Sequence, residues 1–515
     1  TLSYTFNQLL NYNKSFGEHT FDLLAGHEYY DYSYARFNAL KQNYLFEGLT
    51  ELDGAATTIS ASSYTHNYRV ESYLSRLNYD YYDKYYLSFS WRTDGSSRFQ
   101  TDYRWGQFWS AGASWRVSEE GFMQSFDWLT NMTLKASYGS QGNDNILHLD
   151  DGSQDYYDNP SNYFIWQSFY SSEYPNASYG GVWLESLENK AVEWEKNKNF
   201  NIGLESYLFD RISFSAEYFQ KTTSDLLLFR PLATSTGFNG YWDNIGEMVN
   251  KGMDFDLTAH IFKGDFKWTF GTQLSFVRNE VTELVTEGQE IVSGSFIIKV
   301  GEPINSFYLP TSAGVDPATG DQLYLIKERD DDGNITGEYI TNSYNEAGAN
   351  KEIQGSRIPD FYGSISNSFK YKGFDLSILL TYSVGGYVYD NVYSSLFSTR
   401  DAGDNFHVDV KRRWQEPGDV TDVPRLVHGQ VNYATNDRLI DASYLSIKNI
   451  TLGYNLPESV VERIKLKNCR IFVTADNLAL FSKRKGMDPQ YNFAGNQDYE
   501  YVPLKTLSAG IDIKF

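Results

Sequence analysis

The stretch that decides the fold is residues 361–384, FYGSISNSFKYKGFDLSILLTYSV. In its second half Phe374, Leu376, Ile378, Leu380, Tyr382 and Val384 fall on one face, with Asp375, Ser377, Thr381 and Ser383 opposite. A period of two is the signature of a strand, and Tyr371-Lys372-Gly373 joins this one to its predecessor as a hairpin with a tight turn. The device recurs in both directions along the chain. Ile212, Phe214, Ala216 and Tyr218 follow the turn Phe209-Asp210-Arg211. Phe255, Leu257, Ala259 and Ile261 lead through Lys263-Gly264-Asp265 into Trp268, Phe270, Leu274 and Phe276. Tyr85, Leu87, Phe89 and Trp91 make another strand, and Trp109, Ala111, Ala113 and Trp115 one more.

Strand length narrows the architecture. Strands of a soluble sandwich average about five or six residues, whereas these alternating runs reach roughly ten or more. A strand that crosses a bilayer needs about 9 to 11 residues with an apolar outer face, a polar inner face and aromatics at each interface. About fifteen strands follow one another, and their connections alternate short and long. The turns FDR, KGD and YKG share the short side. The long side holds the stretch from Ala35 to Thr65 and residues 141–196, 280–358 and 388–439. Outer-membrane barrels have short periplasmic turns and long extracellular loops, so the alternation orients the protein. Two short-side connections, SEEGFMQSFDWLT and LPESVVERIKLK, read as short helices. The fold expected is all-β: a transmembrane antiparallel up-and-down β-barrel with long extracellular loops. An odd strand count, where bacterial single-chain barrels use an even one, makes residues 1–515 the C-terminal part of a larger barrel whose first strands and plug lie elsewhere.

Composition agrees. Of 515 residues, 17% are aromatic and 41% hydrophobic, with 42 Tyr, so much of the apolar area comes from rings with polar tips. No run of about 18 uncharged apolar residues is present to span a membrane as a helix. A net charge of −22, spread along the chain, argues against a nucleic-acid surface.

The search for chemistry is mostly negative. The seven histidines never fall three or four apart, and HExxH, GxSxG, Walker A and GxGxxG patterns are absent, so no catalytic residue, cofactor or metal site is expected. The single Cys469 reads as a buried small side chain. Asp330-Asp331-Asp332-Gly333-Asn334 hints at a calcium loop, but counting Asp330 and Asp332 as its third and fifth positions puts Tyr339 where the terminal Glu should stand. A solvated turn is the better reading. Long-loop aromatics stand out more: Tyr163, Trp166, Tyr170 and Trp183 crowd one connection, and Tyr241 and Trp242 occupy another. Such rings suit contacts with a cargo or a covering protein, and equally suit packing the loops together.

These motifs, taken in order, resemble the SusC/RagA family of TonB-dependent outer-membrane transporters over nearly the whole chain. Carrying the resemblance are Arg92-Thr93-Asp94-Gly95-Ser96-Ser97-Arg98-Phe99, Ala136-Ser137-Tyr138-Gly139 with Gly142-Asn143, and Trp194-Glu195-Lys196. Thr223-Ser224-Asp225-Leu226-Leu227, Asn244-Ile245-Gly246-Glu247-Met248, Gly314-Val315-Asp316-Pro317, Lys448-Asn449-Ile450-Thr451-Leu452-Gly453-Tyr454 and Gly486-Met487-Asp488-Pro489 follow. Ser446 and Met487 depart from residues the family more often uses, Arg and Tyr. The resemblance implies a barrel of about 22 strands, of which about 15 are here, closed around a plug. It also implies a SusD-like surface lipoprotein as a lid, energy from TonB–ExbB–ExbD through the plug, and import of glycan fragments or oligopeptides. The terminal run Leu507, Ala509, Ile511, Ile513 and Phe515 resembles the signal by which outer-membrane assembly machinery recognises its clients, with Phe515 as the key ring. The competing function is a SusC-like barrel that serves as a structural subunit of another outer-membrane complex without transport. A soluble β-rich glycan-binding protein is disfavoured by strand length and the oriented loops.

Overall fold

The computed structural model describes all residues except 146–163, 172–180, 286–287, 331–332, 398–402, 404, 428–433, 491–494 and 498–500. Fifteen strands form one antiparallel sheet in which each pairs with its neighbours in sequence order. The first six are β1 Leu2–Phe16, β2 His19–Tyr44, β3 Ala55–Tyr81, β4 Tyr85–Ser96, β5 Trp105–Arg116 and β6 Leu129–Asn143. Next come β7 Glu195–Leu208, β8 Ile212–Ser224, β9 Glu247–Lys263 and β10 Phe266–Glu283. The last five are β11 Phe361–Tyr371, β12 Phe374–Val384, β13 Tyr444–Asn455, β14 Asn468–Ser482 and β15 Thr506–Lys514. Among the described residues β1 and β15 are the two edges of the sheet and do not pair with each other.

Register decides which residues share a face. One cross-strand row runs Asn13, Asp22, Asn78, Ser88, Gly112, Ser137, Asn201. The adjacent row runs Tyr12, Leu23, Leu77, Phe89, Ala111, Tyr138, Phe200. A one-residue slip would exchange them, so from β1 to β7 the sheet has one polar and one apolar face. In β12, Ile378 pairs with Asn367 and Ile450, and Ser377 with Ser368 and Thr451. Ile378 therefore lies on the apolar face and Ser377 on the polar one, as the alternation predicts. The polar row lines a hollow of about 530 Å³, which makes that face the interior.

At the short-turn end the apolar face carries a belt of rings. Tyr85 stands 6.3 Å from Tyr81 and 6.4 Å from Trp115, Trp128 stands 6.0 Å from Phe209, and Phe374 stands 4.4 Å from Tyr454. Rings with polar tips concentrate at bilayer interfaces for this reason: one end is apolar and the other wet.

Two expectations are corrected. The stretch from Ala35 to Thr65 is not a loop for most of its length: β2 and β3 continue as a hairpin from the pair Ala35↔Thr65 to Tyr44↔Ala55. Backbone pairing needs no apolar alternation, so a ladder that runs past the bilayer carries no such signal. Second, the connection after β5 is not a helix. A single 3-10 turn, Val117–Glu119, is followed by successive turns in which the amides of Met123, Phe126 and Leu129 donate to the carbonyls of Glu120, Met123 and Phe126. Glu120 accepts from the Tyr85 hydroxyl at 2.6 Å and the Trp115 indole at 3.1 Å, and this ties the segment to the ring belt. The other short-side connection does contain helical turns, Glu458–Val461 and Glu462–Ile464.

Candidate functional site

The long-connection end is where the sequence motifs meet. Phe99, Phe108, Ile165, Val192, Trp194 and Leu227 form one buried cluster, with Trp242 packed against it. Three of the motifs each supply a member: Phe99 ends the first, Trp194 opens another, and Leu227 closes a third. The Trp194 ring lies 5.5 Å from Phe99 and 5.4 Å from Phe108, and its indole donates to the Arg104 carbonyl at 2.8 Å.

Polar groups knit the same region. Glu195 accepts from the Leu227 amide at 3.0 Å and from the Asn143 side chain at 2.7 Å. Asn244 donates to the carbonyls of Glu193, at 3.0 Å, and Asp225, at 2.8 Å. Lys196 pairs with Glu193 at 2.9 Å and Asp225 at 3.1 Å. In the first motif Arg92 reaches Asp94, Glu28 and Ser72, while Arg98 donates to the Asp144 carbonyl at 2.8 Å. Asp144 accepts from Tyr68 and Ser96, each at 2.7 Å. The motifs are thus junctions that anchor long connections to the wall, and most of their side chains are engaged within the chain.

The aromatic candidates divide. Trp242 stacks edge-on against Phe229 at 5.5 Å and joins the buried cluster. Trp166 is half-buried beside Ile165, and its indole N–H finds no hydrogen-bond partner among the described residues. Tyr241 lies under the Arg230 guanidinium, which also pairs with Asp243 at 3.1 Å. Tyr170 and Trp183 sit on a small hairpin, Phe169–Ser171 with Trp183–Ser186, and are 66% and 46% exposed. Tyr163 lies outside the described residues. The structure therefore brings Trp242 to the buried core, leaves Trp166 half-buried next in sequence to its member Ile165, and presents Tyr170 and Trp183 on the surface.

The minor expectations have plain outcomes. Asp330 organises a turn, accepting from the Asn334 amide at 2.8 Å and the Asn334 side chain at 3.2 Å, while Asp331 and Asp332 lie outside the described residues. Cys469 is buried with a free thiol.

The interior wall holds groups that motif reading passed over. Lys135 is ion-paired with Glu205 beside Glu217, Asp254 and Asp256, around a hollow of about 410 Å³. Gln273 donates to Asp256 at 3.0 Å. Their signal was available, because each charge falls on the polar half of its strand's alternation.

Comparison with known proteins agrees with this geometry. Residues 1–478 match the family model for the TonB dependent receptor-like β-barrel. The chain is 30% identical to TonB-dependent receptor P3 of Formosa agariphila, over 98% of this chain and 52% of that protein. It is 27% identical to TonB-dependent receptor SusC of Bacteroides thetaiotaomicron, over 99% of this chain and 50% of the relative. Among solved structures, that of the RagAB peptide transporter superposes with a TM-score of 0.86 at 27% identity, covering 100% of this chain and 55% of that one. The chain spans about half the length of the curated relatives it matches. That family comprises receptors and transporters rather than enzymes. The chain belongs to the TonB-dependent receptor β-barrel family, as a member of its SusC/RagA group, and its strands cross the outer membrane.

Proposed function

We propose that the protein imports oligopeptides or glycan fragments across the outer membrane, under a SusD-like lipoprotein lid and with energy from TonB–ExbB–ExbD. The observation that carries this reading is the likeness to the RagAB peptide transporter along the whole chain, joined to an interior row of Asn, Asp and Ser residues that crosses β1 to β7. A polar, hollow interior suits passage of hydrated cargo. Exposed Tyr170 and Trp183 suit contact with the lid or the cargo, and Tyr163, Trp166, Tyr241 and Trp242 belong to the connections that would carry that contact. Further strands and a plug complete the barrel. The unpaired edges of β1 and β15 support this, because an unpaired strand edge in hydrocarbon is costly for every backbone group left without a partner. Phe515, 82% exposed just past β15, fits an assembly signal.

Deletion of the whole gene tests the reading. The expected result is lost growth on an oligopeptide or oligosaccharide mixture as sole nutrient, normal growth on the corresponding monomers, and rescue by the gene in trans. Unchanged growth on all such mixtures would favour the structural-subunit role.

A further inference from the structure

The apolar row from Tyr12 to Phe200 continues as Gln220, Lys251 and Arg278 across β8, β9 and β10, so these three side chains share the lipid-facing side of the sheet. One step toward the short turns the same face is apolar: Ile202, Tyr218, Met253 and Phe276 lie side by side. Of these, Ile202, Met253 and Phe276 are 51%, 48% and 39% exposed. One step the other way, Lys198 stands opposite Thr222. The outward apolar run thus ends on a cation in β7, β9 and β10. The outer ends of β2 and β3 differ, since they carry Asp31 and Glu71, and Arg69 there is tied to Asp31 at 2.7 Å.

Depth places the cations at a headgroup. Phe262 belongs to the ring belt at the short-turn end, 6.0 Å from Trp268. From Phe262 to Lys251, β9 advances about 3.3 Å per residue at a tilt of roughly 40°, a rise of about 25–30 Å. An apolar band about 25 Å tall therefore ends where Lys251 begins, and the long connections mark this leaflet as the outer one.

Compensation within the chain is slight. Lys251 and Arg278 stand directly opposite each other in the ladder, where like charges repel. Arg278 lies 3.8 Å from Asp360, with the two side chains 76% and 62% exposed, and Glu280 is the next outward residue on β10. Among the described residues no carboxylate lies within ion-pairing distance of Lys198 or Lys251, whereas Lys196 is held by Glu193 and Asp225. Between β7 and β9, the Tyr218 hydroxyl donates to Gln220 Oε1 at 3.3 Å and leaves the Gln220 amide N–H groups to donate.

We propose that the outward face of β7 to β10 binds a phosphorylated glycolipid of the outer leaflet, with a phosphate between Lys251 and Arg278, the sugar beside Gln220 and Lys198, and acyl chains along Met253 and Phe276. An anion seated between the two cations replaces their repulsion with charge-assisted hydrogen bonds, and a guanidinium can grip two phosphate oxygens at once. A free phosphate ion would use the same cations but not the apolar surface that adjoins them, and that continuity favours the lipid. The inference needs only strands that cross the outer membrane and is independent of the importer reading.

The test uses the full-length protein, extracted from outer membranes in detergent and stripped of lipid. Its probes are diphosphoryl lipid A and the same lipid A with its phosphates removed, with retention read by native mass spectrometry. Wild type is expected to hold the phosphorylated form about tenfold or more over the other. Lys251→Gln with Arg278→Gln should abolish that preference, and Lys251→Arg with Arg278→Lys, which keeps both charges, should keep most of it. Lys14→Gln with Lys372→Gln, which removes two cations beside the rings of Phe16 and Tyr371 at the opposite rim, should leave it unchanged. Heat-modifiable electrophoretic mobility shows that each variant is folded. Equal retention of the two lipids by wild type, a preference that survives Lys251→Gln with Arg278→Gln, or its equal loss in the opposite-rim variant overturns the proposal. Full displacement of the lipid by millimolar inorganic phosphate would assign the cations to the free ion and overturn it too.

Discussion

Arg470 donates two hydrogen bonds to Asp375, at 3.0 and 2.6 Å, past a strand that lies between them. The residue opposite Asp375 on that strand is Gly453, and a Cβ there would come within 2.4 Å of the Arg470 guanidinium. The missing side chain is what lets the arginine reach from β14 to β12, and Asp512 on β15 stands 3.6 Å from the same guanidinium. The glycine of the motif Lys448-Asn449-Ile450-Thr451-Leu452-Gly453-Tyr454 thus has a physical reason. Gly453→Ala and Arg470→Ala should each cost about 1.5–3 kcal/mol, the range for hydrogen bonds to charged groups. Because they remove the same contact, the double variant should be little worse than the worse single one, as measured by urea unfolding of the barrel in lipid vesicles. Fully additive costs would show that the two act separately.

A second prediction concerns the two faces of β12. Ile378→Arg puts a charge on the apolar face and should cost about 2–4 kcal/mol near the bilayer midplane, while Ser377→Arg, facing the interior, should cost far less. Folding yield into vesicles reads both variants, and the reverse order would mean that the faces are exchanged.

Much of this was legible in residues 361–384 because a bilayer enforces the alternation: a strand with lipid on one side and water on the other must show period two. Where the bilayer stops, so does the signal. The hairpin beyond Ala35 and Thr65 pairs through its backbone alone, and its Ser, Thr and Asn content reads as loop. Glu120 was missed for another reason, since its hold on Tyr85 joins residues 35 apart in sequence. The core of Phe99, Trp194 and Leu227 was visible only as separate motifs, because nothing local records which of them touch.

That core carries the third prediction. Trp194→Ala should open a cavity costing about 3–5 kcal/mol locally, within a unit that is separate from the wall. Hydrogen exchange should rise in residues 225–246 and around Phe99, with the central residues of β7 to β10 unchanged. Uniform loss of protection across the wall strands would contradict that separation.

Acid should loosen the connection between β10 and β11. Glu352 pairs with Lys327 at 2.6 Å and Arg329 at 2.7 Å. Burial pushes its pKa up, but the two cations outweigh that and hold it below the usual value for a glutamate. A depressed folded pKa means the stabilisation is fully present above the unfolded value of about 4.3 and is lost as pH falls through the lower, folded one. Protection factors of the amides in Gln322–Arg329, taken relative to the intrinsic exchange rate at each pH, should fall in wild type across that acid window and stay nearly flat in Glu352→Gln. Identical pH profiles would remove Glu352 as the source.

Deleting Phe515 should separate assembly from stability. Loss of one interfacial ring costs a folded barrel about 1.5–3 kcal/mol, small against a sheet of this size. The amount reaching the outer membrane should therefore fall far more than the melting temperature of what does assemble. Equal levels in isolated outer membranes would leave Phe515 as an ordinary surface ring.

The most direct test of the importer reading is uptake itself: accumulation of a radiolabelled oligopeptide pool and a radiolabelled glycan digest by intact cells, with and without the gene, and with and without an uncoupler. The reading predicts that one of the two accumulates only when the gene is present and the proton gradient is intact. Accumulation of both at the same rate in the deletion strain would contradict it and leave the barrel a structural part of another assembly.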